Sequence, residues 1–117
     1  MVREVNDPAL DQLAERDHAV VVLTRSSCGA CAEYIETIAA LQQSDERIAQ
    51  IPFLKVVLDH GGSAHFKRAN PWIALLDDLP HTALFRRGVL VDRFSASTKW
   101  ILLERLDEQG FLHGGSA

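Results

Sequence analysis

Two cysteines three residues apart, set where an apolar run ends and a helical pattern begins, constrain this chain more than any other feature. Ala19-Val20-Val21-Val22-Leu23 is aliphatic and largely β-branched, which predicts a strand buried on both faces. Thr24-Arg25-Ser26-Ser27 is polar and predicts a turn. After it, Tyr34, Ile35, Ile38 and Leu41 recur three and four apart, as on the buried side of a helix. Cys28 and Cys31, the chain's 2 cysteines, lie at that strand-to-helix junction.

The junction has a chemical consequence. The first turn of a helix leaves backbone N–H groups unpaired and carries the positive end of the macrodipole. A thiolate at Cys28 is stabilised there, so its pKa falls below the free value of about 8.5. Spacing i, i+3 puts Cys31 one turn on, on the same face and within reach of a disulfide. Cys28 is thereby the candidate nucleophile and Cys31, deeper in the helix, the candidate resolving thiol. Two other readings stand beside this dithiol switch. His60 and His65 are five apart and nominally complete a Cys2His2 zinc set, although the usual four-ligand spacing is missing. Buried, inert cysteines are the other.

At 117 residues the chain is long enough for one domain with its own core. Its net charge of −4 gives no footprint for nucleic acid or an anionic membrane. No apolar run reaches the roughly 18 residues of a membrane span, and Met1 to Asp7 is polar without a signal-like apolar core. A cytoplasmic location is expected, where a lone cysteine pair is catalytic or redox-sensing rather than a structural framework.

Taken in order, Val2–Val5 predicts a short edge strand, and Asp7-Pro8 a helix start with Leu10, Leu13 and Ala14 inward. Phe53–Leu58 is a second buried strand. Residues 64–78 are helical in part, broken at Asn70-Pro71, with Trp72, Ile73, Leu75 and Leu76 packing. Thr82–Arg86 and Val89–Phe94 form a hairpin about Arg87-Gly88. Ser97 caps a last helix that turns Trp100, Ile101, Leu103 and Leu106 inward, and Gly110 stops it. Strands alternating with helices imply α/β architecture with a parallel sheet and an antiparallel closing edge.

With Cys28-Gly29-Ala30-Cys31 between strand and helix, and Leu79-Pro80 leading the hairpin, the chain resembles the thioredoxin family. The resemblance implies a thioredoxin-like three-layer fold, a mixed sheet of four to five strands flanked by four helices. It implies a single thioredoxin-like domain over residues 1–110 and a flexible tail over 111–117. In that family the proline matching Pro80 is cis and lies against the cysteines, and the backbone at Leu79 pairs with an extended substrate. Lys55, four residues before Asp59, matches a lysine common in that strand. The family motif reads Trp-Cys-Gly-Pro-Cys, whereas Ser27 stands for the Trp and Ala30 for the Pro. Val22 occupies the position of a buried acid.

The expected activity is thiol–disulfide exchange on protein disulfides. Cys28 is the nucleophile, Cys31 the resolving thiol, and Leu79 and Pro80 bind substrate. Gly29, Ala30, Lys55 and His81 modulate the pair. His81 either depresses the Cys28 pKa as a cation, serves Cys31 as a base, or simply packs on the sheet. No metal and no cofactor is called for, since two sulfurs carry the electrons. Expected partners are disulfide-bearing protein substrates or a specific partner protein, and an external thiol reductant or reductase, with the chain a monomer. The alternative is a thioredoxin-fold binding, assembly or redox-sensing module without general reductase activity.

Overall fold

The computed structural model describes residues 2–95 and 98–113. Its strands are β1 (Arg3–Glu4), β2 (Ala19–Thr24), β3 (Phe53–Val57), β4 (His81–Arg86) and β5 (Val89–Ser95). Its helices are α1 (Asp7–Leu10), α2 (Gly29–Ser44), α3 (Glu46–Ala49), α4 (Ala64–Ala69) and α5 (Lys99–Glu108). Short 3-10 turns cover Asp11–Glu15, Pro71–Leu75 and Phe111–His113. The strands form one mixed sheet in the order β1-β3-β2-β4-β5. β1, β3 and β2 run parallel, and β4 and β5 are antiparallel to their neighbours. This is the mixed α/β sheet expected from the alternation of strands and helices.

Residue alternation along β2 separates two cores. Val20 and Val22 point to one face, against Tyr34, Ile38 and Leu41 of α2, Ile48 of α3, and Leu102 and Leu106 of α5. Ala19, Val21 and Leu23 point to the other, against Leu10, Leu13, Phe66 and Ile73. Period-two alternation with apolar side chains on both faces is what a central strand of a three-layer fold requires. Each such valine, fully buried, contributes about 1.5–3 kcal/mol by leaving water.

The structure departs from the sequence expectation in several places. The tract Trp100-Ile101-Leu102-Leu103 is apolar at four consecutive positions, which leaves the phase of α5 open. Packing resolves it in favour of the i, i+4 pair Leu102 and Leu106, with Leu103 at the edge. Trp100 is instead 69% exposed, under the ammonium of Lys99 at 4.8 Å. Leu75 is likewise turned outward, 80% exposed, because a 3-10 turn shifts it off the face carrying Ile73. Ala14 is exposed too.

Asp7 does not cap α1, whose N-cap is Asn6. Its carboxylate accepts from the backbone N–H groups of His65 (3.0 Å) and Phe66 (2.9 Å), tying α1 to the first turn of α4. A fifth helix, α3, joins the four that the family resemblance implies; Asp45 caps it by accepting from the Arg47 N–H at 2.9 Å. Phe111, placed by the sequence at the start of a loose tail, is buried in the α2 core beside the His18 ring at 4.8 Å. Ser97 lies outside the described residues; the cap that α5 displays is the Thr98 hydroxyl, which accepts from Ile101.

The β4–β5 turn requires its glycine. Arg87 and Gly88 have φ of 51° and 81°, the left-handed pair of a two-residue hairpin. A Cβ on Gly88 would also stand 2.9 Å from Ala14 Cα, a backbone atom that has no freedom to swing away. Gly88→Ala is expected to cost about 1–3 kcal/mol. Urea unfolding measures it, and an unchanged midpoint would show that the turn relaxes clear of residues 11–15.

Candidate active site

Cys28 is the N-cap residue of α2, with extended backbone at φ −111° and ψ 104°. It leaves β2 through the polar turn and enters the helix with its sulfur over the first turn. There Cys28 Sγ accepts a hydrogen bond from the Cys31 N–H at 3.1 Å. That bond is the local means by which a helix N-terminus holds sulfur charge when the pair is reduced. Cys28 and Cys31 are joined as a disulfide, with Cα atoms 5.2 Å apart. Cys28 is half-buried and Cys31 is 3% exposed.

The loop before β4 closes over this pair. The Leu79–Pro80 bond is cis, and the Leu79 carbonyl oxygen lies 4.0 Å from Cys28 Sγ. Pro80 is buried and Leu79 half-buried. Leu79 also borders a groove of about 420 Å³ with Arg25, Leu58, Lys67, Ile73 and Leu76. Gly29 opens α2 with nothing within 4 Å of where a Cβ would sit, and Ala30 is exposed, so the dipeptide faces solvent.

Lys55 is placed by sheet register. Glu4 on β1, Lys55 on β3, Val22 on β2 and Thr82 on β4 are consecutive partners in one row. In-register partners share a face, and Val22 packs on the α2 side. The row therefore underlies the cysteine helix. Thr82 meets Tyr34 Oη at 2.8 Å, and burial pushes the Tyr34 phenol up to about 12, so it stays neutral. At the other end, Glu4 and Lys55 border a cleft of about 360 Å³ together with Arg25, Cys28, Cys31 and His60. His60 Nδ1 is 2.7 Å from Glu4 Oε2.

His81 is brought elsewhere. It shares its face with Ala83 and Phe85, opposite to Thr82 and α2. Its Nδ1 is 3.4 Å from Ser95 Oγ, its Nε2 3.3 Å from an Arg93 nitrogen, and its ring 5.8 Å from Trp72, on which the Arg93 guanidinium also stacks at 4.7 Å. Burial lowers its pKa, Arg93 lowers it further and Asp78 opposes, so the imidazole is neutral near pH 7. Trp72 is correspondingly half-buried rather than a core residue.

Three residues take roles at the site that the sequence did not give them. Asp59 fixes the loop before Cys28: its carboxylate accepts from the Ser26 N–H at 2.9 Å and from the Ser26 hydroxyl. Glu4 and His60 meet across 56 positions, in a pair that only the β1–β3 pairing creates. His65 pairs instead with Asp11 at 2.9 Å. Among the described residues no three His, Cys, Asp or Glu side chains converge as metal ligands would, so the two histidines do not complete a zinc set with the cysteines.

The Asp59 tie is pH-dependent. Hydrogen bonds from the Ser26 side chain and backbone hold its carboxyl below the ordinary carboxylate value. A depressed folded-state pKa contributes stability above the unfolded value of about 3.9 that is lost as pH falls through the folded one. Asp59→Asn should therefore unfold at lower urea than the parent protein at pH 7. The difference should narrow as pH falls below the ordinary carboxylate range and close once the folded-state carboxyl is protonated. A gap that persists in acid would assign the effect to something other than this charge.

No family model matches the chain, and no curated protein does either. Solved structures do. The chain is similar to thioredoxin f2 of Chlamydomonas reinhardtii, at 15% identity and a TM-score of 0.73, over 93% of this chain and 96% of that one. It is similar to Fasciola hepatica thioredoxin at 22% identity and a TM-score of 0.71, over 92% and 98%. Oxidised mitochondrial thioredoxin 3 of Saccharomyces cerevisiae aligns at 15% identity and a TM-score of 0.70, over 92% and 94%. Among the described residues no helix is long and apolar enough to cross a membrane. With nearly the whole of each partner superposed on nearly the whole of this one, the chain has the thioredoxin fold.

Proposed function

We propose that this protein is a cytoplasmic, monomeric thiol–disulfide oxidoreductase acting on protein disulfides through Cys28 and Cys31. The observation that carries the reading is the disulfide at the α2 N-terminus, with Cys28 half-buried beside Leu79 and Cys31 behind it. In the reduced protein the Cys28 thiolate, held by the Cys31 N–H, attacks one sulfur of a substrate disulfide. A mixed disulfide forms and the first substrate sulfur leaves as thiolate. Cys31 then loses its proton and attacks Cys28 Sγ, so that Cys28–Cys31 forms and the second substrate sulfur is released. Two electrons pass from the cysteine pair to the substrate, and an external thiol or reductase returns them. Leu79 offers its backbone to an extended substrate segment, and Gly29 and Ala30 set the local field. His81 acts as a sheet-packing residue under this reading, and Lys55 as a charge in the cleft behind Cys31. The test is catalysis of insulin disulfide reduction by dithiothreitol. The protein should accelerate precipitation, and a Cys28→Ser variant that accelerates it equally would exclude the reading.

A further inference from the structure

A buried thiol cannot attack until it is ionised, and burial among apolar groups disfavours that ionisation. Cys31 is 3% exposed, and the α2-facing side of β2 carries Val20, Val22 and Thr24, whose hydroxyl donates to the Val56 carbonyl, so none of them offers a base. The open side of Cys31 is the cleft, and one wall of that cleft carries the Glu4–His60 pair. We propose that His60 takes the Cys31 proton, through solvent in this cleft, and that Glu4 is the positioning residue that holds its imidazole. The proposal rests on the thiol–disulfide reading above.

The geometry assigns the roles. A carboxylate 2.7 Å from Nδ1 fixes the tautomer with Nδ1–H donating to Glu4, which leaves the Nε2 lone pair as the acceptor. Both side chains are about half exposed, at 49% and 45%, so the proton that His60 takes can pass on to buffer. The charged groups facing the imidazole are Glu4 from β1, Lys55 from β3 and Arg25 from the turn after β2, with Asp59 adjacent in the chain. α2 presents Cys31, Ala32 and Ile35 there, and of these only the cysteine titrates. The Cys31 S–H proton goes to His60, and the Cys31 thiolate attacks Cys28 Sγ. The sulfur–sulfur bond to the substrate breaks, and the departing thiolate takes a proton from imidazolium or water.

Reduced protein mixed with excess dithiobis(nitrobenzoate) separates the two half-steps in one trace. Attack by Cys28 releases a first thionitrobenzoate, and displacement by Cys31 releases a second. His60→Asn should leave the first release unchanged and slow the second about a hundredfold or more at pH 7, as loss of a general base does. In the parent protein the second rate should depend on pH in a way that the first does not, and His60→Asn should remove that dependence. Glu4→Gln should slow the second release too, but by less. Imidazole buffer should restore the second release in His60→Asn. Both variants alter exposed side chains, so folding is not at issue. A second release with the parent rate and pH profile in His60→Asn overturns the relay alone. Absence of the first release in the parent protein would overturn the thiol–disulfide reading, and the relay with it.

Discussion

Cys31→Ser is expected to convert the protein into a trap: it should form a mixed disulfide with substrate at the parent rate and then hold it. Cys28→Ser should instead lose insulin reduction by about 10³-fold or more, as removal of a nucleophile does. The asymmetry follows from position. Cys28 is the half-buried cap with a helix N–H on its sulfur, and Cys31 is one turn deeper and closed off from macromolecules. The first attack depends on the helix terminus, which Cys31→Ser leaves in place because the donor is backbone. Iodoacetamide labelling of the reduced parent protein, followed by peptide mapping, should find Cys28 modified first at pH 7. A faster label on Cys31, or equal trapping by the two serine variants, would reverse the assignment.

The parts of this site that the sequence displays are those built from neighbours in the chain. The run Ala19–Leu23, the polar turn and the Cys28 helix start are local patterns, and the structure reproduces them within a residue. The Arg87-Gly88 turn is visible for the same reason, since left-handed φ demands such residues locally. What the sequence hides is made by strand pairing. Glu4 meets His60 because β1 lies beside β3, and Asp59 reaches Ser26 across 33 positions. No periodicity records either contact. The phase of α5 fails for a different reason: four apolar residues in a row satisfy several inward faces, and only the core opposite chooses Leu102 and Leu106. His81 shows a third limit. Its place beside Pro80 suggests proximity to sulfur, yet the alternation of β4 turns it to the Trp72 side.

Val22→Asp tests the row beneath the cysteine helix. Val22 is 0% exposed, between Lys55 on one strand and Thr82 on the other. An aspartate there is desolvated, and its one cationic neighbour by register is Lys55. The variant should lose about 3–5 kcal/mol at pH 7, with Lys55 offsetting only part of the desolvation. The sign with pH is the reverse of the Asp59 case. Burial raises the carboxyl pKa, so the folded protein binds the proton more tightly than the unfolded chain. The loss should therefore be smallest below about pH 4 and grow as pH rises towards the raised value. Adding Lys55→Met should deepen it at pH 7 and leave it unchanged in acid, and urea midpoints at the two pH values read both effects. A loss independent of pH would mean that the carboxylate has found solvent rather than the row. The same carboxylate lies on the α2 side of the sheet, beneath Cys31, where it offers a second proton acceptor. In a His60→Asn background, Val22→Asp should bring back the second thionitrobenzoate release. The first, which depends on the helix terminus and Cys28, should stay where it was.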